Sequence, residues 1–276
     1  MPVQVKDIVE CLNQEAPFSL AETWDNVGLL IGNPEQEVTA VLAGLDPTNR
    51  LVDEAIAQGA NTIVTHHPVI FKPLQQINTA EPGGRLLQKT LANRIAIIAC
   101  HTNFDSAREG VSDSLALQLG LRHLVPLVAS AKDHEAGTGL GRIGRYPSPL
   151  AASEFVARLL STLKLPGVQM AGPLPGQIFT VAICGGSGSD LAPLALQRGA
   201  DIYLSAEIKH STAIWAVENN FCIIDGTHYA TEKPAVALLV EKLQAAGIQR
   251  GWNIQIRQTQ EEHHPFVLLD TTYQDL

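Results

Sequence analysis

The sequence predicts an α/β fold made of two similar α/β units, and three observations carry that reading. Short apolar runs alternate with helix-period segments along most of the chain. A strand–helix–strand–helix–strand unit occurs in the first half and again in the second. Metal-type side chains collect just after the strand-like runs, where open α/β sheets hold their ligands.

Residues 5–12 place Val5, Ile8, Val9 and Leu12 on one helical face, and Pro17 follows its end. TAVLAGLD (39–46) reads as a buried strand. Residues 48–58 read as a helix, with Gly59 where a left-handed C-terminal residue belongs. NTIVT (61–65) is a strand ending in His66, His67 and Pro68. A helix over 84–93 leads to the strand RIAIIAC (94–100), which runs into HTNFD (101–105). Strands alternating with helices imply right-handed crossovers and a largely parallel sheet.

The second half repeats this grammar. FTVAICGG (179–186) is a strand, 189–198 a helix, DIYLS (201–205) a strand, 207–218 a helix and FCIID (221–225) a strand. A shift of 140 lays Gly59-Ala60 on Gly199-Ala200, Val41 on Val181, Thr65 on Ser205 and His67 on Glu207. A shift of 126 lays Ile97-Ile98 on Ile223-Ile224. The middle, 126–178, differs: it holds six prolines and the polar stretch KDHEAGTG, with a helix expected at about 150–164.

The 276 residues are 45% apolar, enough for a large core in one or two domains. No run approaches the roughly 18 apolar residues that cross a bilayer. The start, MPVQVKDIVE, lacks a basic segment followed by an apolar one. The formal charge is −9, from 28 acidic and 19 basic residues, which disfavours nucleic acid as a partner. Cys11, Cys100, Cys184 and Cys222 include no CxxC pair and read as buried free thiols. A cytoplasmic protein, with no membrane association, is expected.

Three strand ends carry chemistry: His66 and His67 after NTIVT, His101 and Asp105 after RIAIIAC, and His228 and Glu232 after FCIID. His228 and Glu232 are four apart and share a face if a helix starts near 228. Adjacent histidines on an extended segment point to opposite sides. A pair of metal ions therefore explains His66-His67 better than one ion does. Imidazole with carboxylate suits Zn, Fe, Mn, Ni or Co, and two such ions, roughly 3.5–4 Å apart, would activate a water between them. The ligands expected are His66, His67, Asp105, His228 and Glu232. Taken singly, Asp105 reads as a helix cap and Glu232 as a first-turn dipole partner.

Other strings are weaker. His263-His264-Pro265 repeats the His-His-Pro pattern outside the duplicated unit and is expected at the surface. Gly139 to Gly144 matches GxGxxG without a strand before it or a helix after it, so no nicotinamide site is expected. Gly185-Gly186-Ser187-Gly188 is either a phosphate loop at a helix start or a tight turn with close backbone packing. WDNVG (24–28) is either functional or holds a tryptophan packed on the core.

LAETWDNVGLLIG (20–32), THHPVIFKPL (65–74), HTNFD (101–105), GLGRIG (139–144), GGSGSD (185–190) and DGTHYATE (225–232) together resemble the dinuclear-metal GTP cyclohydrolase 1 type 2 family, also called Nif-three-like. The resemblance runs from the first helix to about residue 265 and implies two similar α/β domains with a dimetal site in the cleft between them. His66-His67, Asp105 as the bridging aspartate, and His228 with Glu232 match the family's ligand motifs. Ser205-Ala206-Glu207 departs from the Thr-Gly-acid string of many members. The resemblance also implies a toroidal homohexamer, a trimer of dimers, in a minimal form without an inserted domain.

Because ligands come from both ends of the chain, it has to return. Residues 1–125 with 227–276 form the first domain expected, carrying the ligands, and 126–226 the second. The activity implied is hydrolysis of a purine nucleotide or a phosphoester by metal-bound hydroxide, with His101 or Glu232 in proton transfer. The alternative is a non-enzymatic metal-binding or regulatory hexameric scaffold. Glu207 is a candidate to line the cleft.

Overall fold

In the computed structural model, which describes residues 2–131 and 137–268, there are two mixed sheets, one with four parallel strands and one with three. The first half runs α1 (Val5–Glu15), β1 (Gly28–Ile31), β2 (Ala40–Gly44), α2 (Asn49–Ala57), β3 (Thr62–Thr65), α3 (Pro82–Ala92), β4 (Ala96–Ala99), α4 (Thr102–Ser106) and α5 (Val111–Gln118). The second runs β5 (Arg122–Ala129), β6 (Gly139–Ala151), α6 (Ala152–Leu163), β7 (Gln169–Ala171), β8 (Gln177–Ser187), α7 (Ala192–Gln197), β9 (Ile202–Ala206), α8 (His210–Glu218) and β10 (Cys222–Asp225). The chain then passes through α9 (His228–Arg250) to β11 (Gln255–Gln258). Residues 132–136 of the polar stretch lie outside the described residues.

Local chemistry sets the element ends. α1 buries Val5, Ile8 and Leu12, as its spacing requires, and each of these aliphatic side chains contributes roughly 1.5–3 kcal/mol on leaving water. The Thr48 side chain caps α2 by accepting from the Leu51 amide at 3.1 Å. At the other end, Gly59 takes φ 68°, a left-handed value that glycine adopts without penalty.

The first sheet has the order β1-β4-β3-β2-β11, and the second β5-β6-β8-β9-β10-β7. In the first, β11, β2, β3 and β4 are parallel and only β1 is antiparallel. The second is less parallel than the sequence suggests: β8, β9 and β10 are parallel, whereas β5, β6 and β7 run antiparallel to their neighbours.

The duplication holds residue by residue. Val41 pairs with Thr62 as Val181 pairs with Ile202, and Thr65 pairs with Ala99 as Ser205 pairs with Asp225. The same shifts carry over the turns: Gly59 and Gly199 both have positive φ, as do Arg94 and Asn220. The antiparallel edge strands β1 and β7 also correspond, each beside the third parallel strand of its sheet.

Two helices join the halves. Ala230 of α9 lies in the apolar core of the second sheet, while Ala235, Val236, Leu239, Val240 and Leu243 lie in that of the first. α5 places Leu115 and Ala116 in the second core and Val111 in the first. Among the described residues, no helix is long and apolar enough to cross a membrane. All four cysteines are free and buried.

Candidate metal centre

The carboxyl ends of the parallel strands of both sheets converge on one cluster of histidines and carboxylates. His66 and His67 follow β3, His101 precedes α4, and Asp105 lies on α4 four residues after His101. His228 opens α9, whose first turn is fixed by the Thr227 side chain, and Glu232 follows one turn later. The site thus draws on both halves of the chain, as α9 starts in one core and ends in the other.

Glu232 occupies the middle. Its Oε1 lies 3.7 Å from His66 Nε2, and its Oε2 lies 3.0 Å from His67 Nε2 and 2.9 Å from His228 Nε2. Asp105 Oδ1 lies 3.7 Å from His66 Nε2. The side chains fall into three sets able to hold a metal ion: His66, His67 and His101; His67, His228 and Glu232; and His66, Asp105 and Glu232. The resemblance gives the bridging role to Asp105. In the structure the carboxylate common to two sets belongs to Glu232.

Each imidazole is aimed by an acceptor on its other nitrogen. His66 Nδ1 meets the Cys100 carbonyl at 2.7 Å. His67 Nδ1 meets Asp46 Oδ1, His101 Nδ1 meets Asp25 Oδ1 and His228 Nδ1 meets Glu207 Oε1, each at 2.8 Å. A carbonyl or carboxylate only accepts, so each Nδ1 carries a hydrogen, and each imidazole in its neutral form would present the Nε2 lone pair to a metal. The Nε2 atoms of His67 and His228 face one another at 3.2 Å, a spacing that makes sense around shared ligand positions.

The donors fit a metal on a second ground. His66 Nε2, Asp105 Oδ1 and Glu232 Oε2 are buried without a hydrogen-bond partner. Leaving such atoms unsatisfied costs about 1–3 kcal/mol each, more when charged, and an ion would satisfy them.

Burial lowers the basicity of His67 and His228, but the carboxylates around them prevail: Asp46 and Glu232 push His67 up to about 10, and Glu232 and Glu207 push His228 up to about 9. Burial would raise the Glu232 carboxyl, yet His66, His228 and His67 hold it well below the usual range. Asp105 goes the other way, up to about 6, because burial and Glu232 outweigh His66. For Asp25, burial is overcome by hydrogen bonds from His101 and Thr102, which bring it down to about 2.

Sequence reading finds the cluster but misses Asp25, Asp46 and Asp225 as supports. The Asp225 carboxylate accepts from the Ile208 and Thr227 amides, tying together the loops that carry Glu207 and His228. Glu207 and Thr227 both hold positive φ, 51° and 61°, a backbone cost of about 1–3 kcal/mol each, concentrated beside His228.

The remaining strings resolve plainly. In the Gly185–Gly188 loop, the amides of Gly185 and Gly186 are already taken by Ser112 Oγ and Thr231 Oγ1, which leaves them no phosphate to bind. That loop instead packs close against Glu232. The GxGxxG string lies inside β6, where the buried Arg142 bonds the carbonyls of Gly139, Gly141 and Ala107 and pairs with Asp113.

Trp24 is not packed in the core: it is 58% exposed. His263 is exposed as its position suggests, but His264 is half-buried, with Nε2 3.0 Å from Thr227 Oγ1. It belongs to a C-terminal strap in which Glu262 accepts from the Leu45 and Asp46 amides and pairs with Lys233.

Known proteins resemble this chain over most of its length. The family model for Duf34/NIF3 (NGG1p interacting factor 3) matches residues 3–265. A GTP cyclohydrolase 1 type 2 homolog of Streptomyces coelicolor is 35% identical over 256 residues, 92% of this chain and 90% of its own. One of Clostridium acetobutylicum is 32% identical over 268 residues, 96% of this chain and 99% of its own. The crystal structure of a Bacillus cereus protein related to NIF3 superposes with TM-score 0.91 at 25% identity, covering 98% of this chain and 100% of that one. A hypothetical protein of Staphylococcus aureus gives 0.87 at 30% identity, with 98% and 100% covered.

Proposed function

Since the chain belongs to the Duf34/NIF3 family, we propose that it is a dinuclear metal-dependent hydrolase acting on a purine nucleotide or a phosphoester. The observation that carries this is the set of buried, unpartnered donor atoms of His66, Asp105 and Glu232 amid four imidazoles whose Nδ1 atoms are already engaged. One ion would be held by His67, His228 and Glu232, and another by His66, Asp105 and Glu232. Zn, Fe, Mn, Ni and Co all suit this donor set. When bound, such ions supply Lewis-acid activation of water and of a substrate oxygen at neutral pH.

The chain's own residues do the rest. Glu232 links the two ligand sets and stays ionised. His101 shares a donor set with His66 and His67 and is held in orientation by Asp25 at Nδ1, which places it to take or give a proton at a reacting atom. Asp25 in turn accepts from the Thr102 amide at 3.0 Å, so the histidine cannot swing away without breaking the start of α4.

The division of the chain into 1–125 with 227–276 and 126–226, the homohexameric trimer of dimers and a cytoplasmic setting are parts of the same proposal. The test is metal analysis joined to turnover. Purified, reloaded protein should hold close to two transition-metal ions per chain. It should hydrolyse at least one of a panel of nucleotides and phosphodiesters, and His67→Ala should lose that activity. Full metal uptake with no turnover across the panel, alongside an intact hexamer in sedimentation, would favour the scaffold reading instead.

A further inference from the structure

Two aromatic side chains beside the centre have no role in holding it. Trp24 is 58% exposed and Phe71 is 45% exposed, which is unusual for large apolar side chains in contact. Their ring centroids lie 5.7 Å apart, and each lies 6.2 Å from the ring of His101, at 73° for Trp24 and 70° for Phe71. The three rings form a triangle whose inner corner is a member of the candidate active site. The other two are each about half open to solvent.

The display is rigid. Asp25, next to Trp24, has a fully buried side chain pinned to His101 and Thr102. Asn26 donates to the Ile70 carbonyl at 2.6 Å, joining the loop of Trp24 to the loop of Phe71. Glu22 is held by Thr102 Oγ1 at 2.9 Å. An indole kept in water on so fixed a base is pre-organised for a partner.

Resting on the hydrolase reading above, we propose that Trp24 and Phe71 form the specificity subsite for a planar heteroaromatic ring of the substrate. The occupant is a small molecule and not a protein surface, because the rings touch His101 and so lie within the site. Aromatic faces stack rings of many kinds, and a ring laid on Trp24 or Phe71 has an edge within reach of His101. Substrates lacking a planar ring lose this contact.

Calorimetric titration of metal-loaded protein tests the assignment, with guanosine 5′-monophosphate, nicotinamide mononucleotide and flavin mononucleotide as ring-bearing probes. Ribose 5-phosphate serves as the ringless probe. At least one ring-bearing probe should bind wild type. Trp24→Ala should weaken it about ten- to hundredfold, Phe71→Ala somewhat less, and Trp24→Phe by no more than about threefold. Ribose 5-phosphate should bind Trp24→Ala and wild type alike. Metal content is measured on the same samples. Wild type without metal sinks the hydrolase reading, whereas the ring dependence is still read from the titration. The subsite is overturned if no ring-bearing probe binds, if Trp24→Ala binds it as wild type does, or if the ringless probe is weakened equally.

Discussion

Gly186 lies so close to Glu232 that a Cβ added to the glycine would sit 2.0 Å from the carboxylate Oε1. The loop can reach the carboxylate only because the residue is glycine, and its φ of 65° gives a second reason for that choice. Gly186→Ala should therefore displace Glu232 and empty the centre of most of its metal, as well as adding about 1–3 kcal/mol of backbone strain. Elemental analysis of the variant decides this; wild-type stoichiometry would contradict it.

The place of Glu232 in two ligand sets separates it from Asp105, which is in one. If the proposed two ions are held, Glu232→Gln should abolish uptake of both, whereas Asp105→Asn should retain binding at His67 and His228 and fall to about half the wild-type content. Equal losses in the two variants would remove the distinction.

Protons compete with metal here. In the metal-free protein, His67 and His228 are raised from 6.5 to about 10 and about 9. Their charged forms stabilise the metal-free fold fully below about pH 6.5, and that contribution fades as pH rises through 9 to 10. Ligation needs the neutral imidazoles, so metal affinity should climb with pH from 6 to 9. Binding at pH 7.5 should release about two protons. Calorimetry in buffers of different ionisation enthalpy measures the release, which should shrink in Asp46→Asn.

The C-terminal strap gives a graded series. His263→Ala should change stability by less than about 0.5 kcal/mol, since His263 is exposed. His264→Ala loses the bond to Thr227 and should cost about 0.5–1.5 kcal/mol. Glu262→Ala frees the Leu45 and Asp46 amides and Lys233 together and should cost the most, about 1–3 kcal/mol. It should also loosen His67 through Asp46. Denaturant unfolding of the three variants gives the order, and a large effect from His263→Ala would refute it.

The sequence is most readable where one residue's position is governed by a short period. The shifts of 140 and 126 reappear as sheet registers because each strand must present its apolar side chains to a layer of helices. The gathering of metal-type side chains at strand ends is legible for the same reason. Supports such as Asp25 for His101 are not, since the pair is 76 residues apart and any loop carboxylate looks alike in one chain. The strands β5 and β6 were hidden by prolines. Pro126 is tolerated because β5 is an edge strand. Pro147 and Pro149 fall beyond the last β5 partner, Arg145, where the register with β8 is also broken.

The span of α9 across both cores has a consequence for how the protein is made. A chain emerging from the ribosome presents His66, His67, His101 and Asp105 more than a hundred residues before His228 and Glu232. The early donors lack the carboxylate that joins the ligand sets, so durable metal capture awaits the threading of α9 from the second core into the first. Synthesis thus imposes an order: fold the two sheets, dock the helix, then load. A nascent chain stalled before residue 228 should exchange its metal freely, and one stalled after α9 has cleared the exit tunnel should retain it through a chelator wash.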